Sequence, residues 1–356
     1  MAYLKSISPE EGVKQWNDFL REHSPFATHA FNPSLQNFYS TYFNWKAYYF
    51  LLFDERQLVG VFPLINTGKS FVSLPHFSYG GIICTKNSHF DTQEIIQKLV
   101  QIVRKEKPEP GFMVFQIENT RQVDIEPLSQ GEKIFVRGLM DFKGAVKSNK
   151  VSSFIQLPAD KETMMKLLSS NLRRKIRKTM TNGLEVQQGG IELLDDFYPV
   201  YAHNIHRLGS PPYAKSFFRA QLETYQYGDA KIFLSKLGNK TVGAAFLMSY
   251  FGFFENTWFS TDRAFKKYLI SDHLHWQMIQ YAIEKKGKIY SMGRSTQFES
   301  VNLYKNHWPV TDMPLYNFSL NQGPGLKNQK WLSSIWKLFP YQLTLLLGPR
   351  LVRDIY

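Results

Sequence analysis

The apolar positions of this chain change period repeatedly, and each change marks an element. Val13, Trp16 and Leu20 recur at three and four residues, which predicts a helix over 10–21. Two short apolar runs, 47–53 and 58–65, flank the polar turn Asp54-Glu55-Arg56-Gln57 and predict a hairpin. Segments 70–74 and 80–84 read as further strand. Ile95, Leu99, Ile102 and Val103 predict a helix over 92–105, and 112–117 reads as a buried strand. Further on, Met165, Leu168, Leu172, Ile176 and Met180 predict one helix over 161–180, ended by Asn182-Gly183. Helices at 195–205 and 214–225 come next. A hairpin 231–237/241–251 then turns around Gly238-Asn239. It is followed by a strand at 253–260, a helix at 272–286 and strands at 289–292 and 315–320.

Hairpin, strand, helix, strand thus occurs twice, over 47–117 and over 231–292. That order is expected of two copies of one α/β module. A linker is expected at 143–153. Gly323-Pro324-Gly325 separates a C-terminal tail.

With 356 residues, two domains are expected. A hydrophobic share of 43% against 21% charged excludes a disordered chain, and 15% aromatics provide bulk for a core. The single cysteine, Cys84, excludes an internal disulfide and a cysteine-based zinc cluster. The start of the chain lacks the apolar core of a signal peptide, and no run reaches the roughly 18 apolar residues of a membrane span. These features predict a cytoplasmic protein.

The net charge of +13 is concentrated in two places. Residues 161–180 carry seven bases and one acid, and residues 321–356 carry five bases and one acid. Local patches of this kind point to anionic partners: phosphates, nucleic acid or an acidic membrane face.

Four stretches can carry chemistry. Arg173-Arg174-Lys175-Ile176-Arg177-Lys178 places a fan of cations on a helix whose other face is apolar. This suits phosphate oxygens, although a solvated helix face gives the same pattern. His203-Asn204-Ile205-His206-Arg207 leads into Leu208-Gly209-Ser210-Pro211-Pro212-Tyr213. There an imidazole base and an anion clamp could converge at one turn, or His and Arg could simply favour a helix C-terminus. Gly293-Arg294-Ser295-Thr296 directly follows a strand, where polar residues meet ligands; Tyr304-Lys305 and His307-Trp308 lie just beyond. The tail sets Trp331, Trp336, Phe339 and several leucines among Lys327, Lys330, Lys337, Arg350 and Arg353. That pattern suits a membrane interface or a helix packed on the body. Pro340 and Gly348-Pro349 are expected to interrupt any long amphipathic helix there. There is no Walker loop, Gly-x-Ser-x-Gly, His-Glu-x-x-His or Gly-x-Gly-x-x-Gly, so covalent nucleophilic catalysis has no support.

These residues resemble the FemAB family of peptidoglycan-bridge transferases, in particular the FemAB-related type of exosortase and exopolysaccharide gene clusters. The likeness rests on Asn171-Leu172-Arg173-Arg174-Lys175-Ile176-Arg177-Lys178 with Asn182-Gly183-Leu184-Glu185-Val186, and on Arg207-Leu208-Gly209-Ser210-Pro211-Pro212-Tyr213. It also rests on Gly293-Arg294-Ser295-Thr296 with Lys305 and Trp308, and on Leu347-Gly348-Pro349-Arg350-Leu351-Val352-Arg353. The resemblance covers the second half and the tail.

It implies an α/β (α+β) protein of two tandem GNAT-like acyltransferase domains, 1–145 and 150–320, with the active cleft in the second and a basic, aromatic tail at 321–356. It implies transfer of an acyl or aminoacyl group onto an amine of a peptidoglycan or exopolysaccharide precursor, without a covalent enzyme intermediate. The donor would be aminoacyl-tRNA or acyl-CoA, with no tightly bound cofactor and no metal. Lys305, Arg294 and His206 are the expected catalytic residues. Arg207, Ser210, Tyr213, Trp258, Ser295 and Trp308 are expected to bind substrate. Arg173, Arg174, Arg177 and Lys178 are expected to face tRNA or another phosphate-bearing partner. For residues 327–353 two readings stand open, contact with the inner face of the membrane or packing on the body.

Two features depart from the family pattern. Gln297-Phe298-Glu299-Ser300 stands where relatives have a Pro/Gly-rich turn, and Pro309 follows the Trp. The segment Thr261-Asp262-Arg263-Ala264-Phe265-Lys266-Lys267-Tyr268 also has no glycine to admit a pyrophosphate to backbone amides. A rival reading is a non-catalytic tandem scaffold that holds anionic lipid or polymer.

Overall fold

The computed structural model describes residues 2–8, 11–23, 28–68, 71–85, 146–318 and 336–353, with isolated positions and short strand pieces at 98, 101, 112–113, 133–134, 136–138 and 334. The chain divides into two compact units. The first comprises 1–151 and 313–325, and the second comprises 152–312 and 326–356.

The first unit begins with β1 (Ala2–Ile7), α1 (Val13–His23), α2 (Leu35–Phe43), β2 (Lys46–Asp54) and β3 (Gln57–Asn66). Short strands β4 (Phe71–Val72) and β5 (Ile83–Cys84) both pair with β3. The predicted hairpin is present as β2 and β3, whose register pairs Leu51 with Val61 and Phe50 with Phe62. β1 and α2 were not expected. β1 spans only six residues and lies antiparallel to β2. In α2, apolar Leu35, Phe38 and Tyr39 are buried around polar Gln36, whose amide donates to the carbonyls of Ile7 and Ala47. α1 buries Val13, Trp16, Phe19 and Leu20, and the Trp16 indole donates to the Phe31 carbonyl at 2.9 Å. Most of the helix expected at 92–105 and residues 114–117 of the expected strand lie outside the described residues; β6 (Phe112–Met113) pairs in parallel with β7 (Lys133–Ile134).

The stretch 143–153, expected as linker, lies mostly within an eleven-residue strand. β8 (Val136–Gly138) is followed by β9 (Val146–Gln156). Its serines hide the strand pattern, yet each has a partner. Ser148 Oγ donates to the Leu315 carbonyl and Ser153 Oγ to the Asp312 carboxylate. A satisfied hydroxyl can be buried in a strand without the penalty of an orphan polar group.

In the second unit the helix predicted over 161–180 is two helices, α3 (Lys161–Leu167) and α4 (Ser170–Thr179). Leu168 leaves helical geometry at ψ 148°, and Ser169 caps α4 by accepting from the Leu172 amide. Then come β10 (Leu184–Gly189), α5 (Leu194–Leu208), α6 (Lys215–Thr224), β11 (Ala230–Leu237), β12 (Lys240–Tyr250) and β13 (Phe253–Thr261). α7 (Ile270–Glu284), β14 (Ile289–Thr296), α8 (Ser300–Lys305) and α9 (Tyr341–Val352) follow in this unit, and β15 (Thr311–Phe318) starts in it and continues into the first. The sheet of this unit runs in the order β10-β11-β12-β13-β14-β9. β10 to β13 are antiparallel neighbours, whereas β13 and β14 are parallel and joined through α7.

Strand alternation gives the sheet two buried faces. On one, Phe233, Val242, Ala245 and Leu247 pack against Met164, Leu172, Ile176, Leu274 and Met278 of α3, α4 and α7. On the other, Phe246 and Trp258 meet Phe197, Phe217 and Phe218 of α5 and α6 at ring separations of 5.3 to 6.0 Å.

α9 corrects the expectation that its Gly-Pro pair would stop a helix. It runs through Gly348-Pro349. The glycine is required by packing, because a Cβ there would sit 2.5 Å from Pro212 Cδ. α9 thus lies against the Pro211-Pro212 turn with Thr344, Gly348 and Val352 buried.

Candidate active site

β13 and β14 are paired over only three positions, Phe253–Ile289, Phe254–Tyr290 and Glu255–Ser291. Both strands then continue, to Thr261 and Thr296, and a cleft of about 410 Å³ opens beside them. Asn256, Thr257, Phe259 and Ser260 line it from β13, and Met292, Gly293 and Arg294 from β14. Thr257 sits at a bulge, because Phe246 of β12 opposes Trp258 while the next residue, Leu247, opposes Asn256. A bulge re-aims neighbouring side chains, and here it does so at the cleft wall. α5 adds Asn204, Arg207 and Leu208, and α8 adds Ser300, Val301, Tyr304 and Lys305.

Lys305 is the most constrained of these. It is 5% exposed, and its ammonium donates to the Gly293 carbonyl at 2.6 Å. Gly293 has φ +73°, a left-handed backbone that glycine adopts at little cost. Burial lowers the Lys305 pKa to about 8. The carboxylates of Glu255 and Asp312 work in the opposite direction, and Arg294 adds a smaller lowering. Glu255 is buried and accepts from Ser291 Oγ at 2.7 Å, while Asp312 accepts from Asn302 and Ser153. At neutral pH the site therefore holds a desolvated ammonium between two carboxylates and a carbonyl.

Beside it, burial and then the nearby Lys305 charge push the His275 pKa down to about 3, so this imidazole is neutral. His275 stacks on Phe259 at 4.6 Å, and its Nδ1 lies 2.8 Å from the Tyr290 hydroxyl. The Tyr304 hydroxyl donates to Asp272, whose pKa burial raises. Asn204 accepts from Arg207 at 2.7 Å and donates to Ser260. Asn256 is buried, and its Oδ1 has no hydrogen-bond partner among the described residues.

Of the residues singled out from sequence, Arg207, Arg294 and Lys305 meet at this cleft. His206 does not. It lies on the other side of α5, where Nε2 is 3.0 Å from the Phe339 carbonyl and the ring packs on Tyr341. Ser210 is exposed on the turn after α5. Tyr213 stacks on Phe217 at 4.1 Å and, with Trp258, belongs to the aromatic core of the sheet's α5 face. Ser295 and Trp308 are buried, Trp308 within the core beside His275. Arg173 is folded back onto the carbonyls of Lys166 and Leu168, and Arg174 donates to Asn171. Glu255, Asn256 and His275 were missed, and Asn204 and Tyr304 were named within their stretches without a role. A carboxylate in the apolar run Phe253-Phe254-Glu255 was the available signal, since an acid in a buried strand needs a partner.

Residues 168–306 match the family model described as an acetyltransferase (GNAT) domain. No curated protein sequence matches the chain. Among solved structures, the chain is similar to FemX at a TM-score of 0.58 and 12% identity, covering 89% of this chain and 97% of that one. It is similar to the C-terminal domain of a putative lysylphosphatidylglycerol synthetase from Agrobacterium fabrum at 0.54 and 11%, covering 88% and 93%. A tandem GNAT protein from the clavulanic acid biosynthesis pathway gives 0.52 and 9%, covering 91% and 100%. The fold is that of a tandem GNAT protein.

A CoA donor would set its diphosphate against the turn between β13 and α7. That turn is a 3-10 helix, Arg263–Tyr268. The Ala264 amide is spent on Asp262 and the Leu269 amide on the Lys266 carbonyl. Leu269, not glycine, holds the left-handed position before α7, and Asp272 places a carboxyl in the first helical turn. Leu269 at the left-handed position and Asp272 in the first turn set this helix start apart from a glycine-rich diphosphate cradle. Among the described residues no group of His, Cys, Asp and Glu is placed to hold a metal.

Proposed function

We propose that this chain is an acyltransferase that moves an aminoacyl or acyl group onto an amine of a cell-envelope precursor, with the reaction in the β13/β14 cleft. The observation that carries the reading is the buried Lys305 ammonium at the point where the two strands part. In such a transfer the amine attacks the donor carbonyl, the new C–N bond forms, and the donor oxygen or sulfur leaves with the proton the amine gives up. Negative charge collects on the carbonyl oxygen before the leaving group departs. A desolvated cation already in position stabilises that charge without reorganisation. Arg294 supplies a second positive charge at the mouth, and Arg207, steadied by Asn204, a third. The neutral His275 and the amide of Asn256 offer uncharged groups to orient the acyl portion.

The donor we favour is an aminoacyl ester such as aminoacyl-tRNA, because the start of α7 differs from a glycine-rich diphosphate cradle. The four motif stretches support the FemAB-related type associated with exosortase and exopolysaccharide systems. The test is label transfer from aminoacyl-tRNA, or from acetyl-CoA, into an extract of envelope precursors. Transfer should be lost in Lys305→Ala and Arg294→Ala proteins that melt like wild type. Full activity in both variants overturns the assignment.

A second reading concerns where the enzyme works. Leu338 is 84% and Leu346 66% exposed, and Leu343, Leu347 and Leu351 also face outward from α9, beside Lys337, Arg350 and Arg353. Among the described residues no helix is long and apolar enough to cross a membrane. An outward leucine row with basic neighbours suits shallow insertion into an anionic bilayer surface. Flotation with vesicles containing phosphatidylglycerol should carry wild type and leave Leu346→Glu behind; equal flotation of both removes this reading.

A further inference from the structure

The basic helix α4 does not present all its cations alike. Arg173 and Arg177, one turn apart, border an open groove of about 620 Å³, together with Lys161 and Lys166 of α3. Arg174 and Lys178 are not among its lining residues. The remaining wall is apolar or polar and uncharged apart from Glu162: Met165, Met180, Trp276 and Gln280. This volume falls within the range that holds small organic ligands, about 300–1,000 Å³.

Three observations give the groove its chemistry. The four cations form no ion pair among the described residues, so their charge is uncompensated apart from Glu162. Arg173 donates to two carbonyls at the end of α3, at 2.7 and 3.2 Å, which hold its guanidinium at the rim. Trp276 is 2% exposed, yet its indole N–H has no acceptor among the described residues. A buried indole donor without an acceptor is unusual, and Trp276 shares this state with Trp336 but is the one that lines the groove. Cations at the rim and an indole in the wall suit a ligand with an anionic head and an aromatic or apolar body.

We infer that α3, α4 and α7 form a second site, apart from the β13/β14 cleft, which takes a phosphate ester carried on an aromatic or acyl body. This inference does not depend on the transfer reaction. It also replaces the idea of an evenly basic helix face, because only the groove-facing half of α4 is engaged.

The test uses the full-length chain labelled with 15N-tryptophan, with the Trp276 indole resonance assigned from Trp276→Phe. The protein is titrated with adenosine 5′-monophosphate, with dihexanoyl phosphatidic acid below its micelle concentration, and with inorganic phosphate. Saturable binding of either organic phosphate is expected, with a shift of the Trp276 indole signal. Whichever of the two binds identifies the source, soluble nucleotide-like or lipid-like. Arg177→Glu should weaken binding at least about tenfold, the loss of a charge-assisted contact. Lys166→Ala is a milder second variant should the charge reversal unfold the chain, and it should weaken binding in the same sense. Arg174→Glu and Lys178→Glu should change it less than about twofold. Equal losses in all four variants overturn the inference in favour of a diffuse polyanion face. So do binding that leaves the indole signal unmoved, binding of inorganic phosphate alone, and no saturable binding of any probe at millimolar concentration.

Discussion

The cleft between β13 and β14 and the groove between α3, α4 and α7 both collect cations, but they use them differently. Lys305 is desolvated, fenced by Glu255 and Asp312 and bonded to a carbonyl, and its pKa falls to about 8. The cations of the groove stand at a rim with one carboxylate near. Burial turns a charge into a reagent whose protonation can change in a working pH range. Exposure leaves it a binding group that stays charged and is screened by salt. The number of basic residues is therefore a poor guide to where chemistry occurs, and their depth is a better one.

The largest break of this contrast is at Lys305 itself. Lys305→Met keeps most of the volume and removes the charge, and should lower kcat by roughly 10²–10³-fold, the usual cost of losing one oxyanion donor. Its melting temperature should not fall as far as activity does, because the buried ammonium opposes folding. The sign follows from linkage. With a folded pKa near 8 against the ordinary 10.5, the unfolded chain holds more protons between those values. Stability should therefore rise with pH across that window in wild type and lose that rise in Lys305→Met, as thermal melts at pH 8 and pH 10 would reveal. A melt that responds identically in both proteins removes the desolvated-lysine description.

A smaller effect is expected at the α9 contact. Gly348→Ala would force a Cβ to within 2.5 Å of Pro212 and should cost about 1–3 kcal/mol, as overpacking does. Hydrogen exchange of α9 amides should quicken before that of β12. Unchanged protection in α9 would contradict the packing described. The smallest effect sharpens the contrast from the other side. His206→Ala should change the transfer rate less than about twofold, since His206 meets Phe339 and Tyr341 instead of the cleft. A large loss of rate with α9 still protected would return His206 to the catalytic set.

How far the sequence could be followed depended on whether a signal was local. The hairpin β2/β3 was legible because its two apolar runs flank a polar turn. The tandem GNAT fold was legible through motif stretches in the second half. Arg294 and Lys305 stood out because polar residues after a strand are conspicuous. β9 was missed because its serines are satisfied by Leu315 and Asp312, both more than 150 positions away. The break between α3 and α4 was missed because the apolar spacing continues through Leu168, while only the Ser169 cap marks the new start. His206 was placed in the site because the sequence does not show which side of α5 meets the sheet; Asn204 bonds Ser260 of β13, while His206 meets Phe339 on the other side. Glu255 escaped attention inside an apolar strand, although its charge is the larger of the two that favour the Lys305 ammonium.

That carboxylate provides the most direct test of the central claim. The transfer rate should be followed from pH 6.5 to 10 for wild type and Glu255→Gln. Wild type should show a limb near pH 8, above which the rate falls as Lys305 loses its proton. Glu255 favours the charged lysine, so its removal should move the limb to lower pH while the rate on the acidic side is largely kept. A limb that stays in place in Glu255→Gln, or a wild-type rate that does not fall by pH 10, would contradict the assignment of the Lys305 ammonium as the group that stabilises the developing charge.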